Sequence, residues 1–408
     1  MPRSSVLALL LFASTLTVMA GSTIAPVLEV IRGDLAVSGT AAGLIITAHG
    51  LAIAVSSPLM GRLIDRWGFC RPLAGGLLLY GIAGAAGIFV TTYPALIASR
   101  LLFGVGAAAV FSGTTVALLE LYRGPERDRV MGWRGSVTSA GGVVWPLLSG
   151  ALGGISWHAS FGAYLIGVPL GLLSLRLLPR AERRDVGGPR EGQAGMVRLL
   201  RTYPALLVWC GLFLVSMVFM YALAVFLPQR LAQVGVEVPF LVSLYTVAAS
   251  LLATVAGLAY ARVRARLGYG SLLRVSAVSW VAAFLILGLS GWPPLMLLAP
   301  ALVGLGQGLS MPALTVLMGE GVPAAQRGRA TALSSTALFA GQFVSPLLFG
   351  PLMAATSVTT GYLIAAAAAA LLVAGLTALR VTDPEQPRDG APKPSKPSAP
   401  VVGAATRQ

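Results

Sequence analysis

Two side chains able to carry charge, Arg100 and His49, lie well inside long uncharged runs of this 408-residue chain. Arg100 falls six residues into the run 94–118, roughly 9 Å from its start at 1.5 Å per residue. A guanidinium at such a depth in hydrocarbon costs at least about 2.5 kcal/mol, so it must face a cavity, meet a partner or snorkel to the surface. Glu29 is the nearby acidic candidate for such a partner. His49 stands ten residues from either end of the run 39–59. Imidazole changes charge near neutral pH, so beside a water-filled cavity it can carry a proton. The alternative is a neutral His bonded to a neighbouring helix. No Asp or Glu lies in the middle of a run; Glu29 and Asp34 sit at an edge. Gln307, Gln342, Trp145, Trp209 and Tyr221 are the remaining polar or aromatic candidates for a cavity wall, and each can equally be a packing residue.

Other chemistry is missing. There is no Gly-Lys loop to cradle phosphate. His49 and His158 fall on different runs, and neither they nor Cys70 and Cys210 show metal-ligand spacing. The expectation is a chain that is not an enzyme and has no cofactor, no metal and no disulfide.

The elements that must position these residues are membrane spans. Hydrophobic residues make up 56% of the chain and charged ones 11%, against about 25% charged in soluble domains. Runs of about 20 apolar residues suffice to cross a bilayer. Twelve are legible, near 6–28, 39–59, 72–91, 94–118, 131–154, 158–178, 204–228, 238–260, 270–289, 293–318, 328–353 and 357–379. A net charge of +15 raises the question of nucleic acid, but its distribution answers it. Of 29 Lys and Arg, Arg32 and Arg230 fall on odd-numbered loops and Arg100 within a span; all others lie at the N-terminus, beside even-numbered loops or in the tail. That is the bias of cytoplasmic loops. It predicts a multi-pass protein of the cell membrane, both termini cytoplasmic, with no nucleic-acid partner.

The chain also repeats itself at an offset of 200. Gly104, Gly106, Glu120, Arg127, Arg129, Gly141, Pro146 and Gly150 return as Gly304, Gly306, Glu320, Arg327, Arg329, Gly341, Pro346 and Gly350. Upstream, Arg62, Arg66 and Gly68 match Arg262, Arg266 and Gly268. A repeat of this size dictates architecture. Six spans per copy give two six-helix domains, 1–178 and 204–379, with a cytoplasmic linker at 179–203 and a Pro-, Lys- and Ser-containing tail at 380–408 that should be disordered. Met196, Val197, Leu199 and Leu200 within the linker read as a short amphipathic helix on the inner leaflet. The basic start of Met1 to Ala20 imitates a signal peptide, but the run has its partner in 204–228 and is expected to stay. Gly104, Gly106, Pro146 and Gly150 are candidates for close helix packing. Gly61 to Arg71 reads as a tight charged turn between spans two and three, and Glu120 to Arg129 as a charged loop.

Twelve spans in a parallel 6+6 repeat with this turn resemble the major facilitator superfamily, over residues 1–380. Gly61, Asp65, Arg66, Gly68 and Arg71 are similar to the family's motif between spans two and three, although Phe69 and Cys70 stand where further basic residues are usual and Ala265 replaces the acid in the second copy. Arg100 followed by Gly104 and Gly106 resembles its fourth-span motif. Trp145-Pro146 to Gly150 is a partial match to the fifth-span antiporter motif, with two glycines replaced, and Pro26 to Asp34 resembles the first outer loop of drug-efflux members. The resemblance implies an all-α integral membrane fold that moves a small molecule by alternating access, with proton-coupled efflux of lipophilic or amphipathic compounds as the first expectation. It implies a gating role for Asp65 and Arg66, with Glu120, Arg127, Arg327 and Arg329 as candidates for the same network, and a tie of Arg100 to proton movement or anion contact. The expected partners are the substrate, protons and the bilayer, around a monomer. Uptake or facilitated diffusion of a small organic anion is the alternative, favoured by the missing carboxylate; a lipid-handling or sensory role is the third.

Overall fold

Hydrocarbon offers a peptide group no water, so an apolar run crosses it as a helix that satisfies its own backbone. The computed structural model describes residues 3–179, 193–323 and 326–378, and among these the regular structure is entirely helical. The first half comprises α1 (Arg3–Ser22), α2 (Leu28–Asp34), α3 (Gly39–Trp67), α4 (Cys70–Ala85), α5 (Tyr93–Leu121), α6 (Gly124–Gly153), α7 (Trp157–Gly162) and α8 (Gly167–Leu177). After α9 (Gln193–Thr202), the second half comprises α10 (Ala205–Ala232), α11 (Pro239–Arg264), α12 (Tyr269–Leu289), α13 (Pro293–Met296), α14 (Leu298–Glu320), α15 (Arg327–Ala355) and α16 (Val358–Ala378). Among the described residues, eleven helical segments are long and apolar enough to cross a membrane. The remaining long helix, α6, has 30 residues but opens on Glu126, Arg127 and Arg129, which make its first turns polar.

The duplication is visible in the packing. α5 lies against α3 and α4 as α14 lies against α11 and α12; α1 meets α6 as α10 meets α15; α4 meets α8 as α12 meets α16. The halves join through two crossed pairs, α3 with α15 and α6 with α11.

Two stretches expected as loops are helical. α3 runs on to Trp67 and α4 starts at Cys70, so the chain reverses at Gly68 and Phe69 alone. Gly68 has φ 72°, the left-handed geometry that closes a helix without a Cβ penalty. Asp65 and Arg66 therefore ride the last turn of α3. α5 likewise ends at Leu121 and α6 begins at Gly124, which puts Arg127 and Arg129 in the first turns of α6. Beyond the hydrocarbon nothing forces a helix of Arg, Leu and Glu to stop, because these are good helix formers. The first span is also broken: Pro26 sits in a 3-10 turn over Ala25–Val27, and α2 follows. The helix expected near Met196 is present as α9, but Leu199 is buried in the helical core rather than laid on a leaflet. Residues 180–192 of the linker and the tail 380–408 lie outside the described residues.

The seam between the halves closes at one end only. We call the end that carries α9 and the Trp67–Cys70 reversal the linker end, and the other the far end. A Cβ on Gly150 of α6 would stand 2.9 Å from Pro239 O and 2.9 Å from Ser243 Cβ of α11. On the other seam, a Cβ on Gly43 would lie 2.8 Å from Val225 of α10 and 2.5 Å from Pro346 of α15. Toward the linker end, Gly61 of α3 and Gly132 and Gly135 of α6 have nothing within 4 Å of that position. The halves thus touch at the far end and part toward the linker end.

Gly150→Val should force the far end apart, because backbone and not a movable side chain occupies the space. Spin labels on Val37→Cys and Thr356→Cys are expected to report a longer distance in this variant by double electron–electron resonance. An unchanged distance distribution would show that the contact does not hold the far end closed.

Candidate functional site

Between the halves lies a cavity of about 490 Å³, within the usual range for small-molecule clefts. Both repeats line it. His49 of α3, Phe111 of α5 and Pro146 of α6 face Tyr221 of α10, Gln307 and Met311 of α14, and Phe339 and Gln342 of α15. No Asp, Glu, Lys or Arg is among the described residues that line it.

His49 is the cavity's titratable imidazole, and it sits on the seam. Its Nε2 accepts a hydrogen bond from Gln342 Nε2 at 3.2 Å, an interaction between the two repeats in which the amide nitrogen can only donate. With Nε2 as acceptor the proton rests on Nδ1, which has no hydrogen-bond partner among the described residues. The ring also packs edge-on against Phe103, with centroids 5.7 Å apart. Two glycines permit this closeness. A Cβ on Gly50 would stand 2.8 Å from the Gln342 amide carbon, and one on Gly104 would stand 2.9 Å from His49 Cα. Gln307 donates to Ser216 O at 2.7 Å, while its Oε1 has no partner among the described residues. Gln307 Oε1 is itself buried, so in the state described α14 brings its amide to the chamber wall beside the linked pair of α3 and α15.

Arg100 does not border this cavity. It is fully buried inside the first half. Its Nη2 donates to Ala83 O at 3.2 Å and to Gly84 O at 2.6 Å. These are carbonyls at the C-terminal end of α4, which an α-helix leaves without internal partners and which carry its negative dipole end. The guanidinium carbon lies 4.8 Å from the Phe103 ring centroid, 4.9 Å from Phe161 and 5.3 Å from Tyr164. Three aromatic faces and two carbonyls thus replace the expected carboxylate. The expected Glu29 partner is engaged elsewhere: Glu29 pairs with Arg32 at 2.5 Å, one turn along α2. Asp34 accepts a hydrogen bond from Trp157 Nε1 at 3.0 Å, which ties α2 to α7 at the far end. Trp145 is buried against Phe12 and Trp209 is half-buried, and neither lines the cavity.

The motif residues gather at the linker end. Arg66, Arg71, Glu120, Arg127 and Arg327 are exposed, Asp65 and Arg329 half-buried. Arg327 donates to Gly319 O at 3.1 Å. Gly106 lets α5 cross α4 closely; a Cβ there would stand 2.6 Å from Tyr80 N.

Sequence reasoning missed Arg230. Assigned to an outer loop, it is buried in the last turn of α10, where it donates to Leu287 O at 3.0 Å and Ser290 O at 2.7 Å. It closes the end of α12 as Arg100 closes the end of α4. The donors sit on non-equivalent helices, so the repeat gave no signal. The cavity methionines Met217, Met220 and Met311 were also missed, since a Met in an apolar run is indistinguishable by type from packing.

Arg100→Ala should therefore act on stability. It empties the aromatic cage and leaves two carbonyls unpaired in an apolar interior, a loss of about 3 kcal/mol. Thermal unfolding in detergent should show a clearly lowered midpoint. An unchanged midpoint with abolished flux would instead make Arg100 part of the transport path.

The sequence matches the family model described as Major Facilitator Superfamily over residues 10–237 and again over 221–407. Among curated relatives, the chain is 30% identical over 173 residues to a multidrug efflux pump, SdrM, of Staphylococcus aureus, an alignment covering 42% of this chain and 37% of that protein. It is 22% identical over 350 residues to a bacillibactin exporter of Bacillus subtilis, covering 82% and 86%. The match to SdrM thus spans well under half of that relative's length. Among solved structures, the nucleoside transporter NupG superposes with a TM-score of 0.76 at 15% identity, covering 92% of this chain and 99% of that one. The inward-open xylose transporter XylE from E. coli gives 0.73 at 15% identity, covering 94% and 97%. Two family matches that together take in nearly the whole sequence, on a duplicated helical fold with a cavity at the repeat interface, place this chain in the major facilitator superfamily: it is a multi-pass membrane transporter.

Proposed function

We propose that this transporter exports small lipophilic or amphipathic compounds in exchange for protons, by alternating access. The observation that carries the reading is the chamber between the repeats, closed at the far end and holding one imidazole on its seam. In this reading the two domains, 1–178 and 204–379, rock about the chamber as rigid bodies. The linker end, with its exposed arginines, faces the cytoplasm. The state described here is then open inward, and α6 is the twelfth crossing. The efflux pump and exporter among the relatives support export.

His49 takes the role that a membrane carboxylate would otherwise fill. As acceptor, its Nε2 bonds the Gln342 amide nitrogen across the seam. A protonated ring has two donors and no acceptor, so that bond must be remade through the Gln342 oxygen. Proton occupancy is thereby coupled to the fit of α3 against α15. The substrate lies along Phe111, Met311 and Phe339. With no carboxylate on the wall, a permanent cation has no counter-charge there, so neutral and weakly anionic amphiphiles are favoured. The same lack favours a second reading, uptake or facilitated diffusion of a small organic anion.

Proton release from acid-loaded inside-out vesicles decides between them. Neutral amphiphiles, lipophilic cations and small organic anions are added in turn. Neutral amphiphiles should trigger release, and His49→Ala should abolish its pH dependence. A pH profile unchanged in His49→Ala would remove the imidazole from the path. Silence for every compound, with tracer flux of an anion still present, would select the second reading.

At the linker end, Asp65 is placed to engage the other domain when that end closes. Glu120 stands in the last turn of α5, Arg127 in the first turn of α6, and Arg327 and Arg329 in the first turn of α15. A bias of about 1.4 kcal/mol between the two states corresponds to roughly tenfold in their ratio. Asp65→Asn should slow turnover by up to about that factor, with membrane abundance unchanged on a blot. Full flux would rule the latch out.

A further inference from the structure

A second cavity, of about 360 Å³, opens between α3, α4 and α5 near the linker end. It is separate from the central chamber; none of its lining residues is shared. Its walls are Met60, Leu63, Val105 and Ala109, its floor is Gly75 and Gly76, and Trp67 and Arg71 stand at its mouth. Trp67 is 44% exposed, and Arg71 is exposed too. A Cβ on Gly75 would meet nothing within 4 Å, so the floor is open space.

The duplication supplies an internal control. At an offset of 200, Met60, Trp67, Val105 and Ala109 become Tyr260, Leu267, Leu305 and Leu309. In the second half Tyr260, Leu305 and Leu309, each larger than its counterpart, and Leu267, smaller than Trp67, join Leu272 and Ala256 in a packed apolar cluster, with Leu272 and Leu309 buried. Gly75 becomes Val275 and Arg71 becomes Ser271. The same crossing of three helices is thus filled in one repeat and left hollow in the other. The hollow copy is the one that has gained an arginine and a tryptophan at its rim.

We infer that this groove binds one anionic phospholipid, with an acyl chain laid along Gly75, Gly76, Val105 and Ala109 and the headgroup phosphate on Arg71. Tryptophan and arginine are the side chains that settle where hydrocarbon meets headgroups, the ring at the interface and the guanidinium toward phosphate. The local charge selects the lipid. Arg62, Arg66 and Arg71 stand against one carboxylate, Asp65, in this reversal of the chain. A zwitterionic headgroup gains little from such a site. An anionic one gains about 1 kcal/mol per basic residue near the surface, or about fivefold in affinity. The lipid would fasten α3 to α4 beside the Asp65 turn, so it would ride with the first half as one body.

The test uses the full chain reconstituted in bilayers of phosphatidylcholine. Phosphatidylglycerol with brominated acyl chains is titrated in, and in a parallel series brominated phosphatidylcholine. The Trp67 share of the quenching is obtained by difference from Trp67→Phe. Half-quenching by the anionic lipid should need about fivefold less than by the zwitterionic one. Arg71→Ser, the residue of the filled copy, should bring the two together. Gly75→Val, which enters open space, should weaken both. Native mass spectrometry of the unaltered protein gives a reading independent of any variant's folding: one phosphatidylglycerol should be retained in preference to phosphatidylcholine. Equal quenching by the two lipids, a preference that survives Arg71→Ser, or no retained phosphatidylglycerol would each overturn the inference. None of these readings depends on transport, so they stand or fall apart from the proposed export.

Discussion

The seam between the halves is the constraint on which the rest depends. Two crossed helix pairs, α3 with α15 and α6 with α11, form it, and both are tight at the far end and loose at the other. Tightness there comes from glycines that meet backbone or proline, with Gly150 against Pro239 and Gly43 against Pro346. In lipid no hydrophobic force draws helices together, so close van der Waals approach and interhelical hydrogen bonds must do it. The His49–Gln342 bond supplies the polar part at the inner edge of this contact. A seam built this way can be released without exposing a large apolar face to water.

Each half, by contrast, is fastened internally by groups that a moving seam could not spare. Arg100 and Arg230 spend their charge on the carbonyl ends of α4 and α12. α4 stops within the protein, at the buried Ala83 to Ala85, where its last acceptors have no water, while α12 ends at its half-buried cap, Ser290. A buried guanidinium satisfies several such acceptors at once with its planar fork and still stacks on aromatic rings. The charges that look most like transport chemistry in the sequence thus keep the six-helix units rigid. His49 and Gln342, by contrast, bridge between the units.

Much of the architecture was legible because it is written in long-range regularities. Apolar runs gave the helices, and the 200-residue offset gave the packing equivalences, down to Gly104 and Gly304 facing α3 and α11. The place of His49 and Gln342 in one chamber was legible only as two separate polar residues in apolar runs. Their bond joins positions 293 apart in sequence, a separation no local pattern encodes. Arg100 was misplaced for a physical reason. An intramembrane charge announces that it needs a partner, but not whether that partner is a carboxylate, water or a helix end. Asp65 and Arg127 were assigned to loops because charge marks the membrane boundary, and a helix is free to continue past that boundary.

Where the two copies agree and where they part separates scaffold from chemistry. The glycines of α5 and α14 agree, and so do Glu120 with Glu320 and Arg127 with Arg327. Cavity positions do not. His49 stands opposite Ala249, Gln307 opposite Ala107, Tyr221 opposite Gly21 and Met311 opposite Phe111, and all eight residues line the chamber. Backbone symmetry is therefore kept while the side chains on it diverge. A symmetric wall would offer a solute two equivalent poses. Here each polar group has a small or apolar residue at the equivalent position of the other copy, and the two halves contribute different polar groups to the wall. The repeated charges at the linker end sit outside this chamber and suit a task that both domains share, the closing of that end. The unrepeated polar side chains are those of the chamber wall.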